Sequence, residues 1–319
     1  MAALAALLLA ACSSLPSARP AESPWAVLPD DGDLYLFADL RQARGLLEPL
    51  AGSLGGGRPG RLAPVLDRTQ EIYGCLYLPD AGRTAGAELA VTGRWSPDLV
   101  STRMSFSCGW VRRETAPASS SSPSSPPPST STVYWRARRA ALEVGSPARG
   151  LLLAAAGRPG GLERMMARRR SPHEGLVERA RAGDPRVGPF LAGAALYACL
   201  PALGTAQPPA GKVSGLPMRQ LWLAARREAD QYELGALASL AGTPNPRALA
   251  SLVNLAAAAL LRKASIPEVV ARLRALEITA DTGGLTVRGL KLSEPELLAL
   301  LQGVLLPLAA GDANARSGD

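Results

Sequence analysis

The residues at the amino terminus whose types and order could carry chemistry are Leu9-Ala10-Ala11-Cys12, behind an almost wholly apolar run from Met1. They match a lipobox. Small residues let the backbone enter a signal peptidase, and the Cys12 thiol accepts a diacylglyceryl group before cleavage. Residues 1–11 therefore read as a lipoprotein signal peptide, too short to span a bilayer as a helix, which takes about 20 residues. Cys12 becomes a lipid anchor, each buried methylene of its acyl chains adding about 0.8 kcal/mol. Ser13 and Ser14 follow it, and the absence of Asp there favours the outer membrane over the inner.

Few other residues suggest chemistry. Export implies an oxidising compartment, and Cys75, Cys108 and Cys199 remain once Cys12 is acylated. An odd number cannot all pair within the chain. Buried free thiols in strand-like runs account for all three, and a Cys75–Cys108 bridge is the alternative. His173 is the single histidine, beside Pro172 in a polar stretch, so any His triad or multi-His metal site would depend on it. It reads as an exposed loop residue. No CxxC, GxSxG, GxGxxG or Walker spacing stands in a strand-to-helix context, and residues 55–60 are Gly-rich without the GK[ST] ending. The expectation is a protein that is not an enzyme, with no metal and no cofactor.

The elements that must position any site follow from pattern. The 319 residues suit one large domain or two modest ones, and 47% are hydrophobic, enough for a sizeable core. Aromatics are only 4%, so Leu, Ala and Val must fill it. Formal net charge is +8, and of 35 basic residues only Lys212, Lys263 and Lys291 are not Arg. That charge suits an anionic membrane surface or a nucleic acid. No basic run with interleaved aromatics marks a nucleic-acid module, so no nucleic-acid partner is expected.

Residues 12–29 read as a lipidated tether rich in Ser, Pro and Ala. Strand-like runs follow at 34–38, 72–78, 88–93, 104–112, 133–144, 150–156, 191–200, 220–225 and 231–240, with a hairpin of 276–280 and 285–292 around Gly283-Gly284. The insert at 115–132 is nearly all Ser, Pro and Thr and reads as a disordered, overgrown hairpin loop. Helical patterns cover 46–54, 59–70, 160–170, 247–262, 265–275 and 293–308. Two carry capping boxes, Ser265/Glu268 and Ser293/Glu296. Residues 171–189 read as a loop and 309–319 as a loose tail. The fold class expected is α+β, a mostly antiparallel sheet covered by amphipathic helices in an α/β/α arrangement. It forms one domain over 30–308, in two similar halves of about 30–170 and 188–308. Residues 89–99 resemble 285–295, a hint of a duplicated unit.

Apolar surface is in excess on three helices. From 248 to 261 only Ser251 and Asn254 are polar, and eight apolar residues encircle the last helix. A surface helix normally keeps a wide polar face. Each of these is either central in the core or touches something apolar outside the fold. The segment 161–170 sets Leu162, Met165 and Met166 on one face and Arg164, Arg168 and Arg170 on the other. An apolar face with basic flanks is what an interfacial helix needs. The residues expected to meet lipid are Leu162, Met165 and Met166, then Leu249, Leu252, Val253 and Leu260, then Leu297, Leu301 and Leu305.

Three stretches carry a resemblance: Leu34-Tyr35-Leu36-Phe37, Val65-Leu66-Asp67-Arg68-Thr69-Gln70-Glu71-Ile72-Tyr73-Gly74, and Leu221-Trp222-Leu223-Ala224-Ala225-Arg226-Arg227. In order along residues 28–305, the chain resembles the concealed outer-membrane lipoproteins of treponemes, which face the periplasm. The resemblance implies an α/β/α fold whose amphipathic helices insert into the inner leaflet of the outer membrane. It also implies binding of membrane lipid or glycolipid, closed and open forms, and no catalytic residues. The function expected is a lipid-anchored periplasmic protein that associates with that leaflet and binds or transfers lipid. The alternative is an envelope scaffold for a protein partner, with lipidation only as a tether.

Overall fold

The period-two runs become strands, and the computed structural model gathers twelve of them into one sheet. Residues 23–55, 63–79, 85–115, 132–138, 140–171, 173–201, 218–240, 246–281 and 283–303 are described. The signal peptide, Cys12, most of the tether, the bulk of the Ser/Pro insert, Leu305 and the tail lie outside the described residues.

A 3₁₀ turn (Pro24–Val27) leads to β1 (Leu34–Asp39), α1 (Leu40–Gly55), α2 (Ala63–Leu66), β2 (Thr69–Tyr77) and β3 (Gly86–Gly93). Then come α3 (Pro97–Ser105), β4 (Trp110–Glu114), β5 (Val133–Ala137), β6 (Leu142–Ala148) and β7 (Leu151–Ala156). Three helices follow, α4 (Gly161–Arg170), α5 (Leu176–Gly183) and α6 (Val187–Leu191), before β8 (Ala194–Pro201), β9 (Met218–Glu228) and β10 (Gln231–Leu240). Last are α7 (Pro246–Lys263), α8 (Val269–Arg274), β11 (Glu277–Asp281), β12 (Gly284–Ser293) and a helix α9 over 294–303.

The strand order is β11-β12-β10-β9-β8-β1-β2-β3-β7-β6-β5-β4, antiparallel at every junction. β1 and β8 pair in the middle, so residues before α4 build one wing and residues after α6 the other. β7 shows why its sequence, Leu-Leu-Leu-Ala-Ala-Ala, suits its place. Leu151, Leu153 and Ala155 join the core cluster that contains α4, while Leu152 and Ala154 join the one that contains α3. A strand buried on both faces reads as an unbroken apolar run. At the centre, Tyr35 stands opposite Cys75 on one side and Cys199 on the other. Burial pushes both thiols up to about 12. They act as small apolar filler rather than nucleophiles. All three described cysteines are free, so no Cys75–Cys108 bridge forms, and Cys108 is exposed in the loop after α3.

Several expectations are corrected. The molecule is one broad antiparallel sheet, not a sheet covered by helices in an α/β/α arrangement. Twelve strands span roughly 50 Å across the sheet. Most of the helices have only four to ten residues, and ten residues make about 15 Å of helix. Such helices stand over patches and leave no continuous layer. The duplication hint also fails to place equivalent strands. Leu89 lies in β3, third outward from the centre, whereas Leu285 lies in β12, fourth outward. Of the run 104–112 only residues 110–112 are strand, in β4, because Pro97 opens α3 and the helix carries through Met104 to Ser105. The run 133–144 breaks into β5 and β6, and among the described residues of 59–70 the helix is the four-residue α2. Ser265 forms no cap, since α8 starts after Glu268.

The expected loop at 171–189 contains α5 and α6. Asp184 fixes the chain between them. Its carboxylate accepts from Arg186 (Nε 2.9 Å, Nη2 2.7 Å, backbone N–H 3.0 Å) and from the Ser239 hydroxyl at 2.8 Å. The Arg186 bonds lead in drawing its pKa down to about 2. A depressed carboxylate contributes stability above its unfolded pKa and loses it as pH falls through the folded one, here from about pH 4 to about pH 2. Asp184→Asn is expected to cost on the order of 1–2 kcal/mol at neutral pH and to flatten that acid limb. Urea melts across that range check it, and parallel curves for the two proteins would contradict it.

Candidate functional site

α7 has 18 residues, PRALASLVNLAAAALLRK, with no acid among them. Ala and Leu are strong helix formers, so the segment is helical by its own preference. One face turns inward. Val253 packs on Ala238, Leu240, Leu285 and Val287 from β10 and β12, and Leu261 is buried in a cluster with Ile266. The other face has no cover among the described residues. Leu252, Leu255, Ala256, Ala259 and Leu260 recur at i, i+3, i+4, i+7 and i+8, which is one stripe, and all are exposed. The three leucines are 45%, 68% and 44% exposed. α8 adds Val270 at 61% and buries no residue.

Cations border this apolar surface. Arg262 and Lys263 stand exposed in the last turn of α7, where the helix dipole favours positive charge, and Arg274 is exposed on α8. Among the described residues no helix is long and apolar enough to cross a membrane. The stripe suits a helix lying along an interface, with Leu in the acyl boundary and Arg or Lys at phosphate depth.

The three helices singled out in the sequence do not converge. Leu162, Met165 and Met166 on α4 are core residues at 0%, 0% and 3% exposure. On α7, Leu252 and Leu260 are exposed and Val253 is half-buried, while the side chain of Leu249 is not described. On α9, Leu297 is buried and Leu301 half-buried in the cluster with Ala43 and Leu46 of α1. Glu296 accepts the Ser293 backbone N–H at 2.8 Å and the Ser293 hydroxyl at 2.9 Å, which supplies the glutamate half of the expected capping box. Sequence reasoning missed Leu255, Val270 and Phe106, the last being 85% exposed after α3. Leu255 had a readable signal, its spacing from Leu252.

α4 is held elsewhere by a row of residues across the sheet. Glu88 in β3, Ala155 in β7 and Glu143 in β6 stand in register. Glu143 accepts the Leu162 N–H at 3.1 Å and pairs with Arg136, and Glu88 accepts from Arg164 at 3.1 Å. Two carboxylates thus lie at the helix N-terminus, where the dipole favours negative charge. Burial raises the pKa of Glu88, which is 1% exposed. His173 lies in a cleft with Glu174, Glu178, Arg168 and Arg169, its Nε2 3.5 Å from Arg168 Nη1. Among the described residues no three His, Cys, Asp or Glu gather as a metal site.

The arrangement defines a class of protein: an open twelve-stranded antiparallel sheet with one apolar helix face left uncovered. That fold is shared with TP0453 of Treponema pallidum. Its crystal form III superposes with a TM-score of 0.58 at 14% identity, covering 88% of this chain and 98% of that one. Crystal forms IV and I give 0.58 and 0.57 at the same identity, each covering 97% of TP0453. The likeness fixes the fold, and at that level it meets the treponemal resemblance seen in the sequence. No family model and no curated protein matches the chain.

Proposed function

We propose that the protein is a lipid-anchored periplasmic component of the outer membrane's inner leaflet, with α7 as a second membrane contact beside the acylated Cys12. The single observation that carries this reading is the exposed stripe of Leu252, Leu255 and Leu260 with its cationic end. The partner is membrane lipid or glycolipid, and the role is binding rather than catalysis. Leu that leaves solvent for an acyl boundary gains about what it gains on burial in a core. The stripe therefore docks without unfolding anything.

The test is flotation of the mature chain, residues 12–319 carrying Cys12→Ala, on vesicles of zwitterionic and anionic phospholipid. Co-flotation is expected, and more of it on the anionic vesicles. No co-flotation at any composition or pH would sink the lipid reading and leave the tethered scaffold, which the complete burial of the α4 apolar face favours.

A further inference from the structure

A second surface feature stands apart from α7. Between β10 and β12 the register slips: Leu234 faces Leu290 and Ala236 faces Val287, so Arg288 and Gly289 together oppose Gly235. This is a β-bulge, a device that re-aims a side chain. Gly289 takes φ +89°, and a Cβ there would lie 2.5 Å from the Ala275 carbonyl, so the bulge requires glycine. Gly235 lets the Phe190 ring lie close against the sheet, since a Cβ would stand 3.1 Å from it.

The bulge sends Arg288 into a cleft of about 420 Å³ floored by Phe190, Leu237 and two prolines, with Thr286 beside it. The Arg288 guanidinium lies 6.0 Å from the Phe190 ring centroid. Its Nε is buried and has no hydrogen-bond partner. That atom is closed to the cleft, so only the outer guanidinium nitrogens of Arg288 can meet a ligand there. Arg186 on the rim is already committed to Asp184, Asp281 and the Gly283 carbonyl. Among the described residues Arg288 makes no ion pair within 4 Å, although Glu277 stands opposite it on β11, so its guanidinium is not committed as that of Arg186 is.

We infer that this cleft binds a small organic carboxylate with an apolar body about the size of one ring. The two outer nitrogens of the Arg288 guanidinium take the carboxylate end-on, and Phe190 and Leu237 take the body. The site is independent of the membrane reading.

The experiment is calorimetric titration of the full chain with 3-phenylpropionate, with 3-phenylpropan-1-ol and inorganic phosphate as controls. One carboxylate per chain is expected, with the alcohol and phosphate each at least tenfold weaker. Arg288→Met should weaken binding at least tenfold, and Arg288→Lys severalfold, because Lys keeps the charge without the fork. Leu255→Gln on α7 should leave binding unchanged. No binding to the parent protein, equal binding of the alcohol or of phosphate, or an unaltered Arg288→Lys variant would each overturn the proposal. Loss in Leu255→Gln would move the site to α7 and overturn it as well.

Discussion

Glutamine at Leu252, Leu255 and Leu260 together lowers vesicle partitioning of the unacylated protein about a hundredfold. The three side chains leave roughly one and a half leucines' worth of apolar surface in solvent, and a fully buried Leu contributes about 1.5–3 kcal/mol. Moving that surface into an acyl boundary is therefore worth about 3 kcal/mol, or about two decades in affinity. Glutamine is chosen because its helix propensity is close to that of leucine. The fold should lose little, since this face packs on nothing among the described residues. Flotation and thermal melts on the same samples separate the two effects. Unchanged partitioning with unchanged melting would show that α7 does not meet the membrane. The cationic end gives an internal check: Arg262→Gln with Lys263→Gln should cost about 1 kcal/mol per charge on anionic vesicles and nothing on zwitterionic ones.

The sheet was largely legible in the sequence, and its helical cover was not. Runs such as Leu151–Ala156 and Leu34–Asp39 are apolar and short, and they became strands. The Ser/Pro insert read as a hairpin loop, and β4 pairs with β5 across it, Thr115 donating its N–H to the Thr132 carbonyl. Met104 and Phe106, two apart, mimic a strand, but the local Ser96-Pro97 start decides for helix. The prolines at 172, 185 and 189 disguised α5 and α6, although Val187, Phe190 and Leu191 hold helical spacing and are buried. The site was half legible. Leu252 and Leu260 came from the run of 248–261, apolar but for Ser251 and Asn254. Which apolar helix stays exposed is a tertiary outcome, because an apolar face carries no mark of what covers it. α4 is covered because Glu88 and Glu143, far off in sequence, lie in register beneath its first turn. α7 follows β10 near the other end of the sheet, and only one of its faces finds β10 and β12.

Leu162→Ala and Met165→Ala should each cost about 2–5 kcal/mol of stability, the usual range for emptying a closed core site. Both residues are wholly buried, among Tyr134, Leu153, Ala155 and Val177. Gly161 sits so near β7 that a Cβ would stand 2.7 Å from that of Ala155, which leaves the helix little room to settle into a cavity. The cost should therefore fall in the upper half of that range. Urea denaturation measures it. The same variants discriminate between α4 and α7, two of the three membrane-contact helices named from sequence. If α7 alone docks, the folded fraction of each α4 variant partitions onto vesicles like the parent, whereas a helix that had to leave the core to reach lipid would undock more readily once its packing is weakened. Stronger flotation by Leu162→Ala would then mean that the Glu88–Ala155–Glu143 row is a releasable seat for α4. Equal flotation would mean that the row and the core beneath it are permanent, and that the membrane meets this protein on the α7 stripe.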